Sequence, residues 1–191
     1  MTPAVPLLEA GREVEETLSQ LGLAAVIIGG IAVFRWGEPR ATRDVDFTIL
    51  CPFGEERRAA QALSGRLRSR LDNAAELAAS RRVFLAVSSN GTPIDIALGG
   101  LPFEERAVRR GSEFEFVRGL HLKTCSAEDL VVMKAFAGRD RDLVDIPPIL
   151  LRQRGTLDWK LIEEELRPLL EAKDDPQMWQ RLLEMKRQAT L

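Results

Sequence analysis

The stretch VIIGGIAVFRWGEPRATRDVDFTIL, residues 26–50, decides the reading of this chain. An apolar run ends in two glycines, Gly29 and Gly30. Thirteen residues, 31–43, then separate the glycines from Asp44, and Asp44 and Asp46 flank a single valine before apolar residues resume. In an extended segment successive side chains point to opposite faces. The alternation therefore places Val45, Phe47 and Ile49 on one face of a strand, and Asp44, Asp46 and Thr48 on the other. Two carboxylates side by side repel each other, and desolvation makes both costly. A buried strand that carries them needs a chemical reason.

Working outward, residues 6–20 have a helical spacing of Leu7, Leu8, Val14 and Leu18, closed by Gly22. AAVIIGG is a short buried strand followed by a glycine turn, and IAVFRWG is a helix stopped by Gly37 and Pro39. CPFGEE breaks the strand that holds the aspartates. Residues 55–79 have the composition of one helix. RRVFLAV and TPIDIAL, joined through SSNG, form a hairpin with Asn-Gly at the turn. EFEFV and HLKT are short strands around Gly119. From Ser126 the pattern is helical: Ser126 caps SAEDLVVMKAFAG with Asp129 three residues on, and Gly138 ends it. RDRDLVDIPPIL is a second helix, stopped or kinked by Pro147 and Pro148, and two more follow. The expected fold is α/β (α+β): a small mixed sheet flanked by helices over 1–124, with a C-terminal helical region, 125–191, packed on it.

The 191 residues suffice for one full core, and a net charge of −2 argues against a chain that coats nucleic acid. Cys51 and Cys125 fit no paired metal or redox spacing, so free thiols in a reducing cytoplasm are expected. The first residues lack a basic start followed by an apolar stretch, so no leader is expected. No apolar run approaches the ~20 residues of a membrane span.

A third carboxylate completes the constellation. Asp95 alternates with Ile94 and Ile96 in TPIDIAL, and the hairpin can bring it beside Asp44 and Asp46. Hard oxygen ligands in this pattern suit Mg²⁺, with Mn²⁺ as the alternative. Three carboxylates can hold two such ions roughly 3.5–4 Å apart, the arrangement that supports in-line phosphoryl displacement. Asp95 is the natural general base. Gly29 and Gly30 would let the backbone approach a phosphate, with the N–H groups of the following helix directed at it.

The order IIGGIAVF, TRDVDF, PIDIAL resembles the nucleotidyltransferase superfamily over residues 26–98. SAEDLVVMKAFAGRDRDLVDI is similar to the C-terminal motifs of its AbiEii-like branch, a helical lysine followed by Arg-x-x-Asp-x-x-Asp, and GTLDWKLIEEEL extends the likeness over most of the chain. The resemblance implies an enzyme that moves a nucleoside monophosphate from an NTP to an acceptor and releases pyrophosphate. It makes Asp44, Asp46 and Asp95 the metal ligands and catalytic residues, together with Lys134. It implies that Lys134 contacts the nucleotide phosphates, with Asp142 and Asp145 ordering the nucleotide site and Arg139 near them; Gly29, Gly30 and Arg43 are further candidates for nucleotide binding. It implies an acceptor that is RNA or tRNA, protein or a small molecule, and a cognate antitoxin as protein partner. Many active members carry serine where this chain has Gly30. The alternative reading is therefore a weak or inactive module that binds nucleotide or a partner.

Plainer readings stand beside these. Asp-x-Asp alone is commonly a solvated strand end and Gly-Gly alone a turn; their order and spacing favour a site. Lys134 could be the polar face of an amphipathic helix, and Asp142 and Asp145 could pair with Arg139 or Arg141. Arg40 and Arg43 are either phosphate contacts or solvated loop arginines. The arginines from Arg57 to Arg82 suit a solvated helix face better than a nucleic-acid track. His121, the only histidine, has no expected role, and Trp36, Trp159 and Trp179 are expected to pack.

Overall fold

The computed structural model describes residues 5–190. The chain divides into two compact units, residues 1–31 with 41–125 and residues 32–40 with 126–191.

The first unit holds α1 (Val5–Gln20), β1 (Ala25–Ile28), the start of α2 (Gly29–Trp36), β2 (Val45–Leu50), α3 (Glu56–Ser64), β3 (Arg68–Ser69), α4 (Ala74–Arg81), β4 (Val83–Val87), β5 (Pro93–Gly99), α5 (Pro102–Arg110), β6 (Ser112–Val117) and β7 (Leu120–Thr124). The strands form one seven-stranded sheet in the order β3-β4-β5-β2-β1-β7-β6. β2 lies between β1, antiparallel, and β5, parallel. The hairpin of β4 and β5 is antiparallel, as the Asn-Gly turn leads one to expect. The alternation in β2 is realised: Val45, Phe47 and Ile49 are fully buried, as are Ile94 and Ile96 on β5 and Phe84 on β4. The apolar stripe of α1, with Leu8, Val14 and Leu18, is buried too, and α1 packs on β1 and β7. Burying a side chain of this size contributes about 1.5–3 kcal/mol.

One expectation needs correction here. Residues 55–79 are not one helix. α3 ends at Gly65, and Arg68 and Ser69 join the sheet edge opposite Val87 and Ala86 before α4 begins. Glycine weakens the helix, and ladder hydrogen bonds on β4 compensate for stopping it. α5 also forms where hydrophobic periodicity is short. Its signals are local: Pro102 in the first turn, Glu104 and Glu105 near the start, Arg109 and Arg110 at the end. The Glu104 carboxylate accepts from the N–H groups of Gly100 and Leu101, both at 2.8 Å.

The second unit contains the remainder of α2 and then α6 (Ala127–Ala137), α7 (Asp140–Arg152), α8 (Trp159–Lys173) and α9 (Gln177–Thr190). Ser126 caps α6, its Oγ accepting from Asp129 N at 3.1 Å and donating to Asp129 Oδ2 at 2.8 Å. Gly138 closes α6 at φ 66°. Pro147 and Pro148 do not stop α7, which runs on to Arg152. Buried Ile146, Ile149 and Leu150 hold the last turns, and the Arg152 guanidinium donates to the carbonyl of Gly37 at 2.6 Å. Packing here outweighs the missing N–H groups. Among the described residues no helix is long and apolar enough to cross a membrane.

Candidate active site

The site is built where β1 runs into α2. Ile28, the last residue of β1, lies opposite Asp46 in the antiparallel register. The chain must then turn sharply into a helix beside a carboxylate. Gly29 makes that turn at φ 62°, a left-handed conformation that a side chain disfavours. A β-carbon there would also overlap the Asp46 carboxylate. Glycine is thus required twice, by conformation and by space. Gly29→Ala should lose about 1–2 kcal/mol from backbone conformation alone, with displacement of Asp46 added. Urea unfolding together with a transfer assay checks this, and an active variant of wild-type stability would contradict it.

Asp46 is also opposite Asp95 in the parallel register of β2 and β5. Asp44 stands two residues earlier on the same face. One carboxylate oxygen from each of Asp44, Asp46 and Asp95 lies within 4.8 Å of the others, and all three residues are half-buried. Three like charges at this separation repel strongly in a partly desolvated setting. An all-oxygen donor set of this kind fits a divalent cation such as Mg²⁺ or Mn²⁺.

Two further side chains engage the carboxylates. Thr42 Oγ1 donates to Asp44 Oδ1 at 3.0 Å. Arg70 forms an ion pair with Asp95 Oδ1. The sheet explains the second contact: Arg70 N donates to Leu85 O at 2.9 Å, and Leu85 pairs with Asp95 across β4 and β5. Neither residue is evident from the sequence. Thr42 falls in an irregular connection, and Arg70 is hidden within a stretch of helical composition. Its signal is Gly65, which allows the chain to leave the helix. Gly30, the second glycine, is buried, and Arg43 is exposed.

The other expected residues gather in the second unit. Lys134 is 5 % exposed and is no part of a solvated helix face. Its Nζ contacts Asp145 Oδ2 at 2.7 Å and Asp142 Oδ1 at 3.2 Å. Arg139 Nε meets Asp142 Oδ2 at 2.5 Å. Arg40 holds Asp145 with two bonds, Nε to Oδ1 at 2.7 Å and a terminal nitrogen to Oδ2 at 3.0 Å. Arg40 is therefore not a freely solvated loop arginine: it forms a fork on a buried carboxylate. Burial pushes the Asp145 carboxyl up, yet the bonds and charges of Arg40 and Lys134 outweigh it and hold the group below its ordinary range.

That depressed value fixes a sign. The stabilisation by Asp145 is fully present above its unfolded pKa of about 3.9 and is lost as pH falls through the folded value. The stability difference between wild type and Asp145→Asn should therefore be widest near neutral pH and narrow below about pH 4. Urea unfolding across that range measures it; a constant difference would contradict the assignment.

The arginine-rich stretch is tied down locally. Arg57 pairs with Glu76 and Arg58 with Glu55. Arg82 pairs with Glu56 and donates to Leu98 O and Cys51 O. His121 is exposed on β7. Trp179 is buried, with Arg167 over its ring.

A glycine turn into a helix, opposed by an Asp-x-Asp strand and a third aspartate on a parallel neighbour, defines a nucleotidyltransferase fold. The chain belongs to the AbiEii family: the family described as "Nucleotidyl transferase AbiEii toxin, Type IV TA system" matches residues 14–189. No curated protein matches it by sequence. Among solved structures, an antigenic nucleotidyltransferase-like protein from Paracoccidioides brasiliensis aligns with TM-score 0.52 and 15% identity. That alignment covers 97% of this chain and 96% of the other, and the likeness is one of fold. The lincosamide antibiotic adenylyltransferase LnuA, lincomycin-bound, aligns with TM-score 0.49 and 12% identity over 78% of this chain and 98% of its own. JHP933 from Helicobacter pylori aligns with TM-score 0.47 and 13% identity, covering 99% of this chain and 92% of that one.

Proposed function

We propose that the protein is a divalent-metal-dependent nucleotidyltransferase that moves a nucleoside monophosphate from an NTP to a hydroxyl-bearing acceptor. We further assign it as the toxin of a toxin–antitoxin pair. The observation that carries the enzymatic reading is the convergence of the Asp44, Asp46 and Asp95 oxygens beside Gly29. The toxin assignment rests on the family.

Asp44, Asp46 and Asp95 would hold Mg²⁺ or Mn²⁺, which supplies charge neutralisation at the phosphates and polarises the acceptor oxygen. Gly29 brings backbone close to that place without a side chain. Asp95 accepts the acceptor's proton on a carboxylate oxygen while Arg70 orients the group. The acceptor oxygen forms a bond to the α-phosphorus, the bond from that phosphorus to the bridging oxygen breaks, and pyrophosphate leaves. The residues contribute mainly positioning and electrostatics, as is general for phosphoryl transfer.

Lys134, Arg139, Asp142 and Asp145 form a charge network together with Arg40. A nucleotide role for it is separable from a structural one through Arg139, whose side chain is 58% exposed. Arg139→Ala should raise KM for the NTP with little change in stability. An unchanged KM would restrict the network to holding its helices.

The function is tested by incubating the protein and Mg²⁺ with each α-³²P NTP in turn and extracts of RNA and protein. Label on one band names nucleotide and acceptor class together. Growth arrest on expression, relieved by a neighbouring gene, tests the toxin assignment; unimpaired growth at full expression contradicts it.

A further inference from the structure

We propose that Thr42 is a positioning residue that fixes Asp44 in the metal-binding geometry, and that Gly30 is glycine in order to make room for it. The inference rests on the metal-site reading above and assigns a device within that site.

The need arises from the sheet. Asp46 is held by register on both sides, opposite Ile28 and Asp95, and Asp95 is held between Asp46 and Leu85. Asp44 precedes β2, and the ladders begin only at Val45 and Asp46. Its carboxylate therefore lacks the backbone restraint of the other two. Thr42 supplies a restraint from the side chain. Its Oγ1 lies 3.0 Å from Asp44 Oδ1 and 3.4 Å from Asp44 O. The hydroxyl has one proton, and the charged carboxylate is the stronger acceptor. That bond aims Asp44 and leaves the other carboxylate oxygen for a cation.

The hydroxyl is in turn held by packing. A β-carbon at Gly30 would stand 2.5 Å from Thr42 Oγ1 and 2.7 Å from Thr42 Cβ. Those are distances at which one side must move. Gly30, unlike Gly29, has no left-handed φ, so its backbone would accept alanine, and Thr42 is what excludes it. Threonine is stiff at χ1, so seating it over Gly30 leaves its hydroxyl few alternatives to Asp44. Gly30 and Thr42 are a matched pair: one gives the space, the other fills it with a directed hydroxyl.

The test uses the full chain without nucleotide. Mn²⁺ binding is followed by the electron paramagnetic resonance of free Mn²⁺, and melting is recorded in EDTA. Thr42→Val keeps the shape and removes the hydroxyl, and should raise the Mn²⁺ Kd about tenfold. Thr42→Ser should stay near wild type. Gly30→Ala should weaken Mn²⁺ binding and lower the melting temperature when Thr42 is present, and should do neither in a Thr42→Gly background. Wild-type Mn²⁺ affinity in Thr42→Val, or a Gly30→Ala effect independent of residue 42, would overturn the proposal. If wild type itself bound no Mn²⁺, the metal reading would fall and this proposal with it.

Discussion

Asp46→Asn is expected to lower nucleotide transfer by roughly a thousandfold, the equivalent of several kcal/mol of charge stabilisation. Asp46 is the centre of the arrangement. It faces Ile28 on one side and Asp95 on the other, and Gly29 has given up its side chain to it. Asparagine keeps the volume, so the turn and the register remain. It also removes one of three like charges, which relieves repulsion in the absence of a cation. In EDTA the variant should therefore melt no lower than wild type. With Mg²⁺ and NTP, wild type should gain melting temperature, because a ligand of the native state stabilises it, and the variant should not. Lost activity together with lost folding would leave only a structural aspartate; retained activity would remove Asp46 from the site.

The second large effect falls on stability. Lys134→Met should cost about 3–5 kcal/mol, the range found when one partner of a buried ion pair is removed. Its ammonium serves two buried carboxylates at once, Asp142 and Asp145, whose side chains are 7% and 4% exposed. Methionine fills the space but leaves both charges facing it, with only Arg139 and Arg40 as the remaining partners among those named. A second substitution separates charge from packing. Adding Asp142→Asn to Lys134→Met removes one stranded carboxylate and should recover part of the loss, so the two changes are not additive. Chemical denaturation of the single and double variants reads this directly. A loss below about 1 kcal/mol for Lys134→Met would place the lysine among solvated charges after all.

How much of this was legible in the sequence follows from the range of the forces concerned. The period of two in DVDFTIL and TPIDIAL is a local signal, and it located β2, β5 and the shared face of Asp44, Asp46 and Asp95, which the sheet brings together. The Asn-Gly turn marked the β4–β5 hairpin for the same reason. Long-range packing was invisible. Pro147 and Pro148 carry a local instruction to stop, and buried Ile149 and Leu150 override it. Arg70 reaches Asp95 only because Arg68 and Ser69, after Gly65 and Leu67, pair with β4 as the edge strand of the sheet, which no helical periodicity reports. Thr42 is set by the space over Gly30, a contact between residues twelve apart along the chain. Arg40 meets Asp145 across more than a hundred residues. α5 was readable from its terminal charges and Pro102, signals that a search for apolar period passes over.

The central claim is that the α-phosphorus of an NTP is the point of attack. The most direct measurement gives the protein the same NTP labelled with ³²P at the α or at the γ position, with Mg²⁺ and with EDTA. The account predicts α-label on the acceptor, γ-label released as pyrophosphate, and neither in EDTA. γ-Label on the acceptor, or transfer that continues in EDTA, would contradict it.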